Sequence, residues 1–157
     1  MTATDADLPP MRLAIAASRQ ALDAGDMPYG ATLVSPAGQV LLTERNRQHT
    51  AQDCTAHAEM VLVREAARQL GAAALQGATV YASGEPCAMC AGAMYWAGVG
   101  RVVWAAPQPD MAELLGGPLL PARCAELLGS AQPPVPVTGG VLQDEAMAVL
   151  QDAAARG

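Results

Sequence analysis

The chain has 157 residues, of which 52% are hydrophobic and 15% charged, a composition typical of a globular protein. This length corresponds to one domain, so we expect residues 1–157 to form a single folded unit. No apolar run approaches the ~20 residues of a membrane span, and the polar, acidic start lacks a secretory signal pattern, which together predict a cytoplasmic protein without a membrane segment.

The charge balance bears on the partners that the chain can bind. Nine basic and fifteen acidic residues give a net charge of −6, and none of the basic residues is a lysine. Phosphate backbones are held mainly by Lys and Arg, so this balance argues against a long nucleic acid as partner. Four cysteines without a signal peptide are more typical of metal binding than of disulfides.

The first third of the sequence predicts a helix followed by a hairpin. Apolar residues at helical spacing over 11–22 indicate a helix, with Gly25 as its stop. Two short apolar runs, 31–34 and 40–43, flank Pro36, Ala37 and Gly38, which is hairpin turn chemistry. We expect two antiparallel strands here.

The middle of the sequence alternates helix and strand. The segment 58–70 has helical periodicity and ends at Gly71, and 79–83 reads as a buried strand. A helix over 87–97 is opened by Pro86 and closed by Gly98, and a further strand follows over 101–105. Strand, helix and strand in succession favour an α/β fold.

The last third is harder to interpret because its prolines break it into short pieces. We expect a short helix over 122–128 and a terminal helix over 141–155. The large apolar side chains of the central region are expected in the core rather than in a pocket; these are Met60, Met89, Met94, Trp96 and Trp104.

His57, Cys87 and Cys90 are the candidate metal ligands. His57 and Cys87 each stand at the start of a predicted helix. At such a start, exposed amides and the helix dipole favour thiolate over thiol. Cys87 and Cys90 are three residues apart, so one helical turn brings both sulfurs to the same face. One imidazole and two thiolates suit tetrahedral zinc and leave a fourth position for a water whose pKa falls to roughly 7.

Glu59, two residues from His57, is the candidate acid and base. Its carboxylate could deprotonate that water and later protonate a departing amine. A structural zinc site is the alternative, but it needs a fourth protein ligand, for which Cys54, Cys124 or His49 are available. A redox pair formed by the two neighbouring cysteines also remains open.

The stretch 26–106 resembles the cytidine deaminase superfamily, and within it the guanine deaminases and tRNA adenosine deaminases. The residues that carry the resemblance are Pro28-Tyr29-Gly30-Ala31, Asp53-Cys54-Thr55-Ala56-His57-Ala58-Glu59 and Glu85-Pro86-Cys87-Ala88-Met89-Cys90. A histidine, a glutamate two residues on and a later Pro-Cys-x-x-Cys form the signature of zinc-dependent nucleobase deaminases. The implied fold is three-layered α/β/α with a mixed five-stranded sheet.

The resemblance also implies roles for individual residues. His57, Cys87 and Cys90 match the zinc ligands, and Glu59 matches the proton shuttle. Asn46 matches an asparagine that contacts the substrate ring, Tyr29 an aromatic position beside the base, and the backbone at Ala58 a contact to the substrate. A homodimer is the assembly that the family implies.

The C-terminal third departs from the guanine deaminase pattern. Those enzymes carry a glycine, an aromatic residue and paired aspartates after the last matched strand, where this chain has Leu115-Gly116-Gly117-Pro118-Leu119-Leu120. Asp110, Glu113 and Glu145 are candidate substrate contacts in this region, although each is more typical of a surface charge. The ending 137–145 looks more like that of the tRNA enzymes.

The resulting functional hypothesis is hydrolytic deamination of a small amino-substituted heterocycle. Zinc is the expected cofactor, and guanine or another aminopurine is the first choice of substrate. Two alternatives stay open: deamination of the wobble adenosine of tRNA, and a catalytically inactive, zinc-stabilised binding module.

Overall fold

One five-stranded mixed sheet organises the chain, for which the computed structural model describes all residues, Met1–Gly157. The strands lie in the order β2-β1-β3-β4-β5. β1 pairs antiparallel with both β2 and β3, whereas β3, β4 and β5 run parallel. Their bounds are β1 Gly30–Val34, β2 Val40–Arg45, β3 Thr79–Gly84, β4 Arg101–Ala106 and β5 Val137–Thr138.

Helices cover both faces of this sheet. Their bounds are α1 Leu8–Asp23, α2 Ala58–Leu70, α3 Ala88–Ala97, α4 Gln108–Leu115, α5 Cys124–Gly129 and α6 Gln143–Arg156. One hydrophobic cluster joins the sheet to α2, α3 and α5, and a second joins its other face to α1 and α6. The predicted three-layer α/β/α architecture is therefore confirmed. None of the helices combines the length and apolar character that crossing a membrane requires.

The central strands are buried on both faces, which explains why small and apolar residues predominate in them. All five residues of β1 are buried, and so are all of β3 except its first residue. A strand covered by helices on both sides gains from apolar residues at every position, so it loses the alternating pattern of a half-exposed strand. These are the strands that position the site described below.

The predicted helices and strands up to residue 106 are observed, with ends that match the prediction or differ from it by at most three residues. The predicted helix over 87–97 begins at Ala88, and Cys87 caps it in an extended conformation. The short helix expected over 122–128 is α5, and the terminal helix begins at Gln143 rather than Val141. Helix ends are the least certain part of any assignment from periodicity.

Two elements of the last third, α4 and β5, have no counterpart in the sequence prediction. The prolines near residue 108 suggested a broken segment, but Pro107 caps α4 and Pro109 lies in its first turn. Proline is well tolerated there because the first amides of a helix have no partner within it. β5 has only two residues, too few for a hydrophobic pattern to emerge.

Of the five side chains expected in the core, Met94 is fully buried, Met60 and Trp104 are only partly buried, and Trp96 and Met89 are elsewhere. Trp96 is 84% exposed on the outer face of α3, whereas Met94 on the same helix is fully buried. Met89 lines the large cavity of the protein. Every residue of α3 is uncharged, so its sequence has no polar stripe to show which face is turned outwards.

A buried carboxylate ties the N-terminus to the middle of the sheet. Asp7 is 1% exposed and accepts hydrogen bonds from the Tyr81 hydroxyl at 2.7 Å and from the Arg101 guanidinium at 2.7 and 3.1 Å. Burial alone would raise the pKa of this carboxyl, but the hydrogen bonds from Arg101, Thr4 and Tyr81 outweigh burial and lower the pKa to about 2. The folded state therefore favours the ionised form.

This shift predicts a loss of stability in acid. Because the pKa of Asp7 is lower in the folded than in the unfolded chain, its contribution is complete above the unfolded value of 3.8 and is lost as the pH falls towards 2. The Asp7→Asn variant should unfold about 2 kcal/mol more easily near neutral pH and show a smaller loss between about pH 5 and pH 2. Urea unfolding with a chelator present, which excludes metal release, measures both quantities.

Asp5→Asn is the matched control because Asp5 is exposed in the same turn. Its unfolding should follow the wild-type pH profile. Equal acid sensitivity in Asp7→Asn and the wild type would contradict the assignment of this effect to Asp7.

Candidate metal centre and active site

Two helix starts meet beside β3 and form the centre of the site. His57 is the N-cap of α2 and Cys87 is the N-cap of α3, both with extended backbones. α3 follows β3 after only three residues, Glu85, Pro86 and Cys87, so the parallel β3-α3-β4 unit fixes the position of its first turn. Contacts of α2 with α3 bring the two starts together.

The three predicted ligand atoms have the spacing of a tetrahedral metal site. Cys87 Sγ lies 3.7 Å from Cys90 Sγ, and His57 Nδ1 lies 3.6 Å and 3.5 Å from the two sulfurs. Around tetrahedral zinc, bonds of about 2.3 Å to sulfur and about 2.0–2.1 Å to nitrogen separate two sulfurs by about 3.8 Å and sulfur from nitrogen by about 3.6 Å. The side chains therefore fit Zn²⁺ without rearrangement.

The set of candidate ligands has three members, not four. His57, Cys87 and Cys90 form the one group of His, Cys, Asp or Glu side chains whose ligand atoms converge on a common point. Neither Cys54 nor Cys124 nor His49 joins them, and the His49 ring is bonded to the Gly25 carbonyl at 2.9 Å. Three protein ligands with one open position are typical of catalytic zinc, whereas structural zinc has four.

The electrostatics of the three groups favour an anionic sulfur. The pKa of Cys87 is lowered to about 4, first by its hydrogen bond with Cys90 and then, against the effect of burial, by His57. The same contact with Cys87 raises the pKa of His57. The contact with Cys87, together with burial, raises the pKa of Cys90. A divalent cation would replace these shared protons and stabilise both thiolates.

Glu59 lies next to this centre in an environment suited to proton transfer. It is 5% exposed and lines the cavity. Burial raises the pKa of its carboxyl to about 7, although the hydrogen bond to Cys90 and the charge of His57 act in the opposite direction. A carboxyl with a pKa near neutrality can accept a proton and release it again under physiological conditions.

A cavity of about 920 Å³ opens onto His57 and Cys87 and is lined by the residues expected to contact substrate. Tyr29, Asn46 and Ala58 all line it. Ala58 is the first residue of α2, so its amide has no acceptor within the helix and is free to bind a ligand. The pKa of Tyr29 is raised to about 12 by burial and by Glu59, which keeps its phenol neutral.

The far wall of the cavity comes from the C-terminal third. Met111 and Leu115 of α4 line it, and so does the whole of 116–120, the stretch that departs from the guanine deaminase pattern. Gly84 makes this wall possible, because a Cβ there would lie 2.7 Å from Met111 Sδ and 2.9 Å from the Tyr29 ring. The wall presents mainly apolar side chains.

Glu85 fastens this wall to the metal centre. Its carboxylate accepts hydrogen bonds from the backbone amides of Gln108 and Cys124 at 2.8 and 3.2 Å. It also forms a bidentate pair with Arg123, at 2.8 and 2.9 Å. One side chain, two residues before Cys87, thus holds the starts of both α4 and α5.

The acidic residues considered as substrate contacts in the C-terminal third lie outside the cavity lining. Asp110 accepts a hydrogen bond from Gln143, Glu145 pairs with Arg12 and Glu113 is exposed. Sequence reasoning missed two polar residues that do line the cavity, Gln48 and Gln108. Their positions depend on a loop and on α4, for which the sequence offered no periodic signal.

Comparison with known proteins agrees with this geometry. The protein-family model that describes the cytidine and deoxycytidylate deaminase zinc-binding region matches residues 5–106 of this chain. A probable cytosine deaminase of Schizosaccharomyces pombe is 33% identical over 151 residues, covering 92% of this chain and 90% of that protein. The guanine deaminase of Bacillus subtilis is 43% identical over 86 residues, covering 55% of this chain and 54% of that protein.

Similarity extends to a longer protein and to a solved structure. A tRNA(Ile)-lysidine synthase of Deinococcus deserti is 39% identical over 140 residues, which cover 88% of this chain but only 25% of that protein. The structure of a guanine deaminase from Nitrosomonas europaea superposes with a TM-score of 0.81 at 26% identity, covering 93% of this chain and 83% of that one. Because the family model matches residues 5–106 and the site fits Zn²⁺, the chain belongs to the cytidine and deoxycytidylate deaminase family of zinc-dependent hydrolases.

Proposed function

We propose that residues 1–157 form a single deaminase domain that removes an exocyclic amino group from a free heterocycle, with guanine or a related aminopurine as substrate. One observation carries the proposal. Three ligand atoms at tetrahedral spacing lie beside a cavity that is lined by His57, Cys87 and Glu59.

The residues of the cavity divide the chemistry between them. When bound, Zn²⁺ supplies a Lewis acid that lowers the pKa of water. Glu59 takes a proton from the attacking water, whose oxygen forms a bond to the ring carbon, and returns the proton to the amine. The C–N bond breaks and ammonia leaves. Asn46 and the Ala58 amide hold the ring in place meanwhile.

Size and charge support a free base rather than a polynucleotide. A cavity of about 920 Å³ lies within the usual range of sites for small ligands. The net charge of −6 disfavours binding to a phosphate backbone, which weighs against the tRNA alternative. The similarity to guanine deaminases of two bacteria supports a purine as the ring.

An ammonia-release assay on the zinc-loaded protein tests the proposal directly. The panel should contain aminopurines, aminopyrimidines, pterins and triazines, and we expect turnover of guanine or another aminopurine. No ammonia from any of them would contradict the deaminase function. A gel shift with tRNA at low salt tests the alternative, and we expect no shift because the electrostatic attraction is missing.

Replacing Glu59 should separate catalysis from metal binding. In Glu59→Gln the proton acceptor is lost while the three ligands stay, so turnover should fall at least about 100-fold with the zinc content unchanged. Elemental analysis and the ammonia assay measure the two quantities. Glu65→Gln is the matched control, since Glu65 lies on the same helix but bonds to Arg68 and Gln69 outside the cavity. Near-normal turnover in Glu59→Gln would contradict the role of Glu59.

The cysteines support a cytoplasmic location. All four are free thiols in the structure, and two of them form the ligand set. Thiols of this kind persist in reducing compartments, where disulfides are rare.

We also propose that the protein is a homodimer, with the outer face of α3 at the interface. Trp96 is 84% exposed on a helix that has no charged residue, and a side chain of this size gains substantially from burial. Tryptophan is also enriched at protein interfaces.

The Trp96→Glu variant should therefore shift the protein towards the monomer. A charge at the centre of an apolar interface is costly to bury, so light scattering across a dilution series should detect the smaller mass at higher concentrations than for the wild type. Leu13→Glu is the control, because Leu13 is also exposed but belongs to α1 on the opposite layer. A Trp96→Glu protein that dimerises like the wild type would place the interface elsewhere.

A further inference from the structure

Gln48 is a cavity residue to which neither the sequence motif nor the proposed chemistry gives a role. It lies two residues after Asn46, in the loop that leaves β2, and both side chains line the cavity. Asn46 is fully buried, whereas Gln48 is partly exposed. The two carboxamides are in direct contact.

The hydrogen bonds between them have a fixed direction. The backbone amide of Gln48, which can only donate, bonds to Asn46 Oδ1 at 2.9 Å. This identifies the other end of the Asn46 carboxamide as the donor Nδ2, which bonds to Gln48 Oε1 at 2.7 Å. The acceptor of Gln48 is thereby engaged, and its Nε2 group is left with two N–H donors.

No protein atom accepts a hydrogen bond from the Nε2 group of Gln48. The nearby cavity residue Gln108 differs, because its Nε2 already donates to the Leu120 carbonyl at 3.1 Å. Gln48 is thus the side-chain amide of the cavity whose donor group is unused within the protein. Such a group gains by bonding to a ligand atom with a lone pair.

We propose that Gln48 is a specificity-determining residue that holds the Asn46 carboxamide in place and donates a hydrogen bond to the substrate ring. The ring must therefore carry an acceptor at this edge, either a carbonyl oxygen or an unprotonated ring nitrogen. This inference rests on the proposed function and narrows its substrate class to heterocycles with such an acceptor. A site built to donate rejects rings that present an N–H or amino group there.

Two substitutions separate holding Asn46 from donating to substrate. Gln48→Glu keeps an oxygen for Asn46 Nδ2 but has no donor, whereas Gln48→Leu loses both. Arg47→Gln is the control, because Arg47 is exposed, bonds to Glu44 and does not line the cavity. Equilibrium dialysis with guanine and 2,6-diaminopurine measures binding, with each variant built on zinc-loaded Glu59→Gln to prevent turnover.

We expect guanine to bind at least about 10-fold more weakly to the Gln48→Glu protein than to its Gln48 parent, because one hydrogen bond is lost and a negative charge faces the acceptor. 2,6-Diaminopurine has an amino group in place of the carbonyl of guanine. If the Gln48→Glu protein binds 2,6-diaminopurine as tightly as its parent or more tightly, the carbonyl oxygen is the acceptor. An equal loss for both rings identifies a ring nitrogen.

Kinetics of the active proteins provide the second measurement. Gln48→Glu should raise KM with a smaller effect on kcat, and Gln48→Leu should lower kcat as well, because Asn46 is then released. Gln48→Glu binding both rings as tightly as its parent would overturn the donor role and leave only the contact with Asn46.

The measurements distinguish a failure of the proposed deaminase function from a failure of the inference about Gln48. If the wild type releases no ammonia but the parent binds guanine and Gln48→Glu does not, the inference holds without the reaction. A parent that binds neither ring overturns the inference, whether or not the protein deaminates another compound.

Discussion

The site depends on one geometrical constraint, the convergence of an imidazole nitrogen and two sulfurs at tetrahedral spacing. These atoms come from two helices that are far apart in sequence, so their separation is set by the sheet to which both helices are packed. The order of β1, β3 and β4 fixes where α3 begins, and the packing of α2 on the same face fixes His57. A closely packed interior leaves such positions little freedom to move.

The fold could be predicted from the sequence wherever a segment has an unambiguous pattern or clear turn residues at its ends. The helix α2 has a clear apolar stripe, and β1 and β3 are short apolar runs bounded by turn residues. α4 was not predicted, because proline at a helix start looks the same in sequence as proline in a loop. The exposed face of α3 could not be predicted from a helix without polar residues, since only its tertiary contacts distinguish Met94 from Trp96.

The candidate site likewise has one part that the sequence predicts and another part that it does not. The metal ligands and Glu59 follow from short spacings, because chemistry requires particular atoms at particular separations along a helix start. The pairing of Asn46 with Gln48 depends on the conformation of one loop, and the apolar wall depends on where 115–120 folds back. Neither has a periodic signature, so residue types alone do not reveal them.

Glu85 lies between the metal ligands, which the chemistry requires, and the apolar wall of the cavity, whose side chains can vary. Its backbone lies two residues before Cys87, and its carboxylate binds the amides of Gln108 and Cys124 together with the Arg123 guanidinium. Two of its four hydrogen bonds go to backbone amides, so half of the anchor does not depend on which side chains follow. A chain built in this way can remodel the wall that meets the ring and so acquire a new substrate while its reaction chemistry is preserved.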